Sequence, residues 1–212
     1  IFRNLNLDKN LILKNKKLLI FDLDGVLIDS LQNMRLALKQ TCLNLEINLE
    51  FKNYRKFIGL PFEDIMKKMG IRKNIPLIKK KYIFYSQKYL NKIKIKNKDL
   101  KSLRKLRKNY KLAVFTSKDR KRTKLILSRY KLFDIIITSD DVKKGKPNPE
   151  GLNKILKFLN IDNKNAYYVG DSYHDYKCAF NAKIKYFHAL WGYNKIKNYK
   201  KVKKIKNLQK IF

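Results

Sequence analysis

The chain has 212 residues and a formal net charge of +35, from 52 Lys plus Arg against 17 Asp plus Glu, a length that suits one domain or one with a modest insertion. With 44% hydrophobic and 12% aromatic residues and only seven Gly and four Pro, it can bury a sizeable core, which excludes wholesale disorder. Two cysteines, Cys42 and Cys178, exclude a disulfide framework, and no apolar run approaches the ~18 residues of a membrane span.

In chain order, residues 17–22 (KLLIFD) form a short aliphatic and aromatic run that reads as a buried strand. Four segments of helical period follow, at 31–43, 49–57, 62–69 and 75–92. A helix over 99–108 then leads to a strand at 111–116, a helix at 119–130, a strand at 134–138, a helix at 149–159, and strands at 166–170 and 184–188. Strand alternating with helix implies right-handed crossovers and a parallel sheet covered on both faces, a Rossmann-like doubly wound α/β fold. About ninety residues separate the first two strands, far more than a crossover needs. Residues 31–95 are therefore expected to form a small inserted helical domain, with 1–30 and 96–212 forming the core.

The last 37 residues, 176–212, contain no Asp or Glu. Ile196, Val202, Ile205, Leu208 and Ile211 recur there at spacings of three and six, a pattern open to a basic amphipathic helix. A last short strand and a terminal helix closing the domain is the reading preferred. The charge itself invites a nucleic-acid or anionic-surface partner. Its cations are 43 Lys and only nine Arg, accompanied by 23 Ile and 21 Asn. A- and T-rich codons specify Lys, Ile and Asn, so coding bias can supply much of the lysine.

Residues 22–30 (DLDGVLIDS) follow the first strand directly. Asp22 and Asp24, two residues apart at a strand's carboxyl end, point the same way into the crevice where open α/β sheets bind ligands. Close carboxylates repel, so one tends to stay protonated unless a cation lies between them. The second strand ends in Thr116-Ser117-Lys118 (TSK), hydroxyls and amides suited to phosphate oxygens. After the third strand, residues 145–150 (GKPNPE) form a proline-bounded loop able to aim Lys146 at the same crevice. The fourth strand ends in residues 170–175 (GDSYHD), which add Asp171 and Asp175. Taken singly these are ordinary turn and cap residues; in order at four strand ends they make a site.

On these four motifs the sequence resembles the haloacid dehalogenase-like (HAD) phosphohydrolases, over roughly residues 17–193. The Trp191-Gly192-Tyr193 segment and the helical insertion after the first motif resemble the phosphoglycolate phosphatase-like subgroup, whose insertion is a four-helix cap. The resemblance implies a sheet order of five, four, one, two, three. It implies Asp22 as nucleophile and Asp24 as general acid and base. It also implies Mg²⁺ held by the Asp22 carboxylate, the Asp24 carbonyl and Asp171, with Asp175 in support, and phosphoryl oxygens held by Thr116, the Ser117 amide and Lys146. Arg55, Lys56 and the turn at 58–61 fall where such caps reach the crevice. A Pro-Gly turn often marks the cap's return to the core; here the region 94–98 reads KIKNK.

The expected function is a Mg²⁺-dependent phosphomonoester hydrolase, phosphoglycolate phosphatase-like, acting on a small phosphorylated metabolite in the cytoplasm. Two alternatives are a β-phosphoglucomutase-like phosphomutase and a basic nucleic-acid or anionic-surface binding protein on the same scaffold. The fourth motif, with Gly170 before Asp171 and Asp175 as second acid, favours the hydrolase. The scarcity of Arg argues against nucleic acid.

Overall fold

A computed structural model describes residues 17–194 and 200–210 of the chain. Strand β1 (Lys17–Phe21) lies at the centre of a parallel sheet, between β2 (Tyr110–Phe115) and β4 (Ala166–Gly170). Outside these lie β3 (Ile135–Ile137) on one side, and β5 (Lys185–Ala189) and β6 (Lys201–Val202) on the other, giving the order β3-β2-β1-β4-β5-β6. The order expected for five strands is found, with β6 added at the edge. Leu18 to Phe21 are fully buried because helices cover both faces, which is why this strand reads as a continuous apolar run.

Between β1 and β2 run α1 (Leu31–Leu45), α2 (Phe51–Arg55), α3 (Phe62–Lys68) and α4 (Ile75–Lys88). The remaining helices are α5 (Asn97–Asn109), α6 (Arg120–Leu127), α7 (Glu150–Leu159) and α8 (Tyr173–Asn181). The strand period sorts the core into two layers. Leu19, Phe21, Leu112 and Val114 pack with Leu103 and Leu106 of α5 and Ile126 and Leu127 of α6. Leu18, Ile20, Ala113 and Phe115 pack on the opposite face with Leu152 and Ile155 of α7 and Cys178 and Ala179 of α8. The helices between β1 and β2 have a third core of their own, including Met34, Leu38, Tyr54, Met66, Ile78 and Tyr82. Packing against the sheet resumes at Leu90, Ile93 and Ile95, ahead of α5. Residues 94–98 reach this position without a Pro-Gly turn, the Ile95 amide donating to the Tyr130 hydroxyl at 3.0 Å.

Several element ends differ from the sequence reading. The helix expected over 75–92 stops at Lys88 and continues as a 3-10 turn, Leu90–Lys92, and that over 119–130 becomes 3-10 at Ser128–Tyr130. A last strand and a helical turn do close the domain: β6 and the 3-10 helix Ile205–Lys210 bury Val202, Ile205 and Leu208 in the α5 layer. A continuous basic amphipathic helix is thus corrected within residues 200–210; Ile196 and Ile211 lie outside the described residues. No helix among the described residues is long and apolar enough to cross a membrane.

Candidate active site

The register brings the motif residues together. Phe21, the last residue of β1, is opposite both Val114 of β2 and Val169 of β4, so the strands end at one level and Asp22, Thr116 and Asp171 emerge on the same edge. The Asp22 amide still donates to the Val169 carbonyl at 2.9 Å, and the Thr116 amide to the Ile137 carbonyl at 3.0 Å. Beyond Asp24 the chain turns sharply at Gly25, whose φ of +87° lies in the left-handed region. A Cβ there would collide with the Asp171 carboxylate, and one on Gly192 with the Asp171 Cβ. These two glycines let two loops close on one acid.

Lys146 is the hub of the cluster. Fully buried, its Nζ donates to Asp22 Oδ1 at 2.7 Å and Asp175 Oδ1 at 2.8 Å, and lies over the rings of Phe115 and Tyr168 at 5.1 and 5.4 Å. Asp175 also accepts from the Tyr168 hydroxyl at 2.8 Å, from the Ser172 hydroxyl at 2.6 Å and from the Ser172 amide at 3.0 Å. The Ser172 hydroxyl accepts from the Asp175 amide in return, so this carboxylate also closes the capping box of α8. Tyr193 donates its amide to Asp171, and its hydroxyl accepts from the Ser30 amide at 2.7 Å.

The two aspartates of the first motif have different surroundings. Burial pushes the Asp22 carboxyl from its ordinary 3.8 up to about 7, with Lys146 opposing and Asp175 reinforcing. The repulsion on Asp22 comes more from Asp175 than from its first-motif neighbour Asp24. Asp24 instead accepts from the Ser30 hydroxyl and pairs with the buried Lys118 Nζ at 3.1 Å. Burial also raises Asp171 well above the usual carboxylate range, aided by Asp175 and Asp22. Burial works against the ionised Asp175 as well, but Lys146 and the bonds from Ser172 and Tyr168 hold it below its ordinary value.

Asp22, Asp171 and Asp175 offer carboxylate oxygens within 4.8 Å of one another, the one grouping of three or more potential metal ligands among the described residues. All three are buried beside Lys146, and burial, reinforced by repulsion among the carboxylates, is what raises Asp22 and Asp171. An all-oxygen, anion-rich donor set without thiolate or imidazole fits a hard divalent cation.

Asp22 and Asp24 open onto a cavity of about 50 Å³, whose wall includes Thr116, Ser117, Lys118 and Arg122 from the sheet side. The helices between β1 and β2 complete it with Met34, Tyr54, Ile58, Leu60, Phe62 and Tyr82 among others. A second, larger groove of about 670 Å³ reaches Thr116, Ser117 and Lys146 past Pro61 and residues 143–149. The Ser117 hydroxyl donates to the Gly59 carbonyl at 2.9 Å, tying the sheet edge to the 58–61 turn. That turn therefore reaches the crevice, as its sequence position suggested. Arg55 and Lys56 do not: Arg55 is exposed beside Asp29 and Trp191, and Lys56 is exposed and bonds Asn53, because α2 turns both outward.

Asp22, Asp24, Thr116, Ser117, Lys146, Asp171 and Asp175 all lie on this edge. Ser30, Lys118, Arg122, Tyr168, Ser172 and Tyr193 join them without having been assigned a role. Ser30, Lys118, Ser172 and Tyr193 lie inside the DLDGVLIDS, TSK, GDSYHD and WGY segments, and that membership was the available signal. Tyr168 and Arg122 are contributed through pairing and helix position, which no local pattern reveals. His188 packs at the sheet end, its ring nitrogens meeting the Tyr186 hydroxyl and the Asn194 carbonyl, while Trp191 donates to the Val26 carbonyl at 2.8 Å.

Acids and a buried lysine thus converge at the carboxyl edge of a doubly wound parallel sheet, the edge at which open α/β enzymes bind their ligands. Residues 19–189 match the model of the haloacid dehalogenase-like hydrolase family, and the chain belongs to that family, as an HAD-type phosphatase. It is 32% identical over 192 residues to a phosphoglycolate phosphatase from Aquifex aeolicus, covering 85% of this chain and 87% of that one. It is 30% identical over 178 residues to the pyrophosphatase PpaX of Bacillus cereus, covering 81% and 82%. A haloacid dehalogenase-like family hydrolase from Streptococcus pneumoniae has the same fold, with a TM-score of 0.80 at 20% identity over 93% of this chain and 99% of that one.

Proposed function

We propose that the protein is a Mg²⁺-dependent phosphohydrolase acting through an aspartyl phosphate on Asp22, with a small phosphorylated metabolite as substrate. The observation that carries this reading is Asp22 itself, a buried strand-end carboxylate held by Lys146 and open to the cavity it shares with Asp24. Asp22 attacks phosphorus, and Asp24, oriented by Ser30 and Lys118, gives a proton to the leaving oxygen and later takes one from water. Thr116, the Ser117 amide and Lys146 hold the phosphoryl oxygens and stabilise charge developing on them. The carboxylates of Asp22 and Asp171 and the Asp24 carbonyl would hold Mg²⁺, with Asp175 in support through its bonds to Lys146 and Ser172. When bound, the dication neutralises these acids and the phosphoryl oxygens, so that an anion can approach carboxylates.

Residues 31–95 act as a cap over a core formed by the flanking segments, excluding bulk water through the Gly59–Ser117 contact and the apolar cavity wall. The named activities of the two curated relatives, phosphoglycolate phosphatase and pyrophosphatase, make small phosphorylated compounds the first substrates to test. The free thiols Cys42 and Cys178 suit a cytoplasmic setting. The test is a phosphate-release screen over a panel of phosphomonoesters and pyrophosphate, with Mg²⁺ and with chelator. Release that requires Mg²⁺ and disappears in Asp22→Asn supports the reading, whereas unchanged turnover in that variant refutes it.

A further inference from the structure

The cavity over Asp22 and Asp24 contains two cations that phosphoryl binding does not use. Lys118 and Arg122 both line it and both are buried, whereas Lys146 faces the larger groove on the other side of Thr116 and Ser117. Burying a guanidinium is costly unless it is paired, and Arg122 is held in detail. Its Nε donates to Asp119, its Nη1 to the Ser86 hydroxyl at 3.0 Å, and its plane lies 5.4 Å from the centre of the Tyr82 ring. Asn33 in turn accepts from the Ser86 hydroxyl at 2.7 Å and donates to its carbonyl at 2.9 Å. Met34, Ile58, Leu60, Phe62 and Ile65 supply the apolar part of the wall, beside Tyr54, Tyr82, Thr116 and Ser117. At about 50 Å³ the space is far below the ~300 Å³ at which pockets for drug-sized ligands begin.

We infer that Lys118 and Arg122 form an anion-binding subsite for the leaving group, so that the substrate carries a second anion, carboxylate or phosphate, close to the phosphorus attacked. The inference rests on the phosphohydrolase reading of Asp22 and Asp24. A guanidinium fork presents donors to two oxygens of a carboxylate or phosphate, and Lys118, already beside Asp24, adds charge where the leaving oxygen must lie. A neutral leaving group forgoes the charge-assisted contacts of both cations, and a cavity of about 50 Å³ excludes a bulky one.

The test compares kcat/KM for 2-phosphoglycolate, inorganic pyrophosphate and ethyl phosphate, with Mg²⁺, in wild type, Arg122→Gln, Arg122→Lys and Ser86→Ala, each with a melting curve. Wild type should prefer at least one charged compound over ethyl phosphate by tenfold or more, and which one it prefers tells carboxylate from phosphate. Arg122→Gln should cut that preference at least tenfold and Arg122→Lys less. Ser86→Ala, which removes a hydroxyl shared by Arg122 and Asn33 but leaves the guanidinium in place, should lower it less than Arg122→Gln does. No preference in wild type, or an equal loss on charged and neutral compounds in Arg122→Gln and Ser86→Ala, overturns the subsite and leaves the phosphohydrolase reading standing. No release from any of the three or from a wider ester panel overturns that reading, and the subsite with it.

Discussion

Replacing Asp22 by Asn should make the metal-free protein more stable at neutral pH while abolishing turnover. In the folded chain burial raises the Asp22 carboxyl from 3.8 to about 7, against the pull of Lys146. A group whose folded value is raised contributes fully below the unfolded value, and the contribution is lost as pH rises through the folded one. The window is therefore pH 3.8 to about 7: the unfolded chain ionises Asp22 throughout it and the folded chain does not. Converted at 1.36 kcal/mol per pH unit, the penalty to wild type grows to at most about 4 kcal/mol above pH 7. Asp22 is only 4% exposed, so solvent screens little of this. The amide removes the penalty, and Lys146 keeps its 2.8 Å pair with Asp175. Denaturant melts of both proteins in chelator, from pH 4 to pH 8, should show the variant gaining on wild type across the window. Added Mg²⁺ should then stabilise wild type more than the variant, since a ligand of the folded state stabilises by mass action. A difference that is flat with pH, or a variant less stable at pH 8, refutes the reasoning.

Other outcomes follow from single residues. Ser30→Ala removes a buried hydroxyl that donates to Asp24; kcat should fall about tenfold with little change in melting, and an unchanged kcat would show that Asp24 needs no such support. Glu150 is held down to about 2 by Lys154 and by the Lys144 and Lys143 amides just ahead of the GKPNPE loop. Wild type should therefore be more stable than Glu150→Gln above pH 4.5 and lose that margin as pH falls through about 2, measured by denaturant melts. Leu208→Ala should cost about 2–5 kcal/mol, because Leu208 is fully buried against the α5 layer. A cost below about 1 kcal/mol would show that the basic tail does not close the core.

The sheet was legible because β1, β2 and β4 are buried on both faces and their apolar runs end in polar motifs at one level. The 3-10 ends of α4 and α6 were not, since helical period persists through residues 89–92 and 128–130 while the hydrogen bonding changes. The tail shows the same difficulty: spacing at three and six suits a helix, but pairing with β5 makes residues 201–202 a strand. In the site, the acids and Lys146 were readable from order alone. Their charge balance was not, because the dominant repulsion joins Asp22 to Asp175, on different strand ends and far apart in sequence. Arg122 reads as one more cation in a chain with 52 Lys and Arg, and only tertiary burial sets it apart.

The claim that Asp22 carries the phosphoryl group is tested most directly by reductive trapping. Protein turning over a substrate with Mg²⁺ is quenched with borohydride, which reduces an acyl phosphate to an alcohol, and is then digested for mass spectrometry. Homoserine at position 22, dependent on substrate and Mg²⁺ and absent at Asp24, is the result this account predicts. Active turnover that leaves residue 22 unmodified, or that marks another carboxylate, would contradict it.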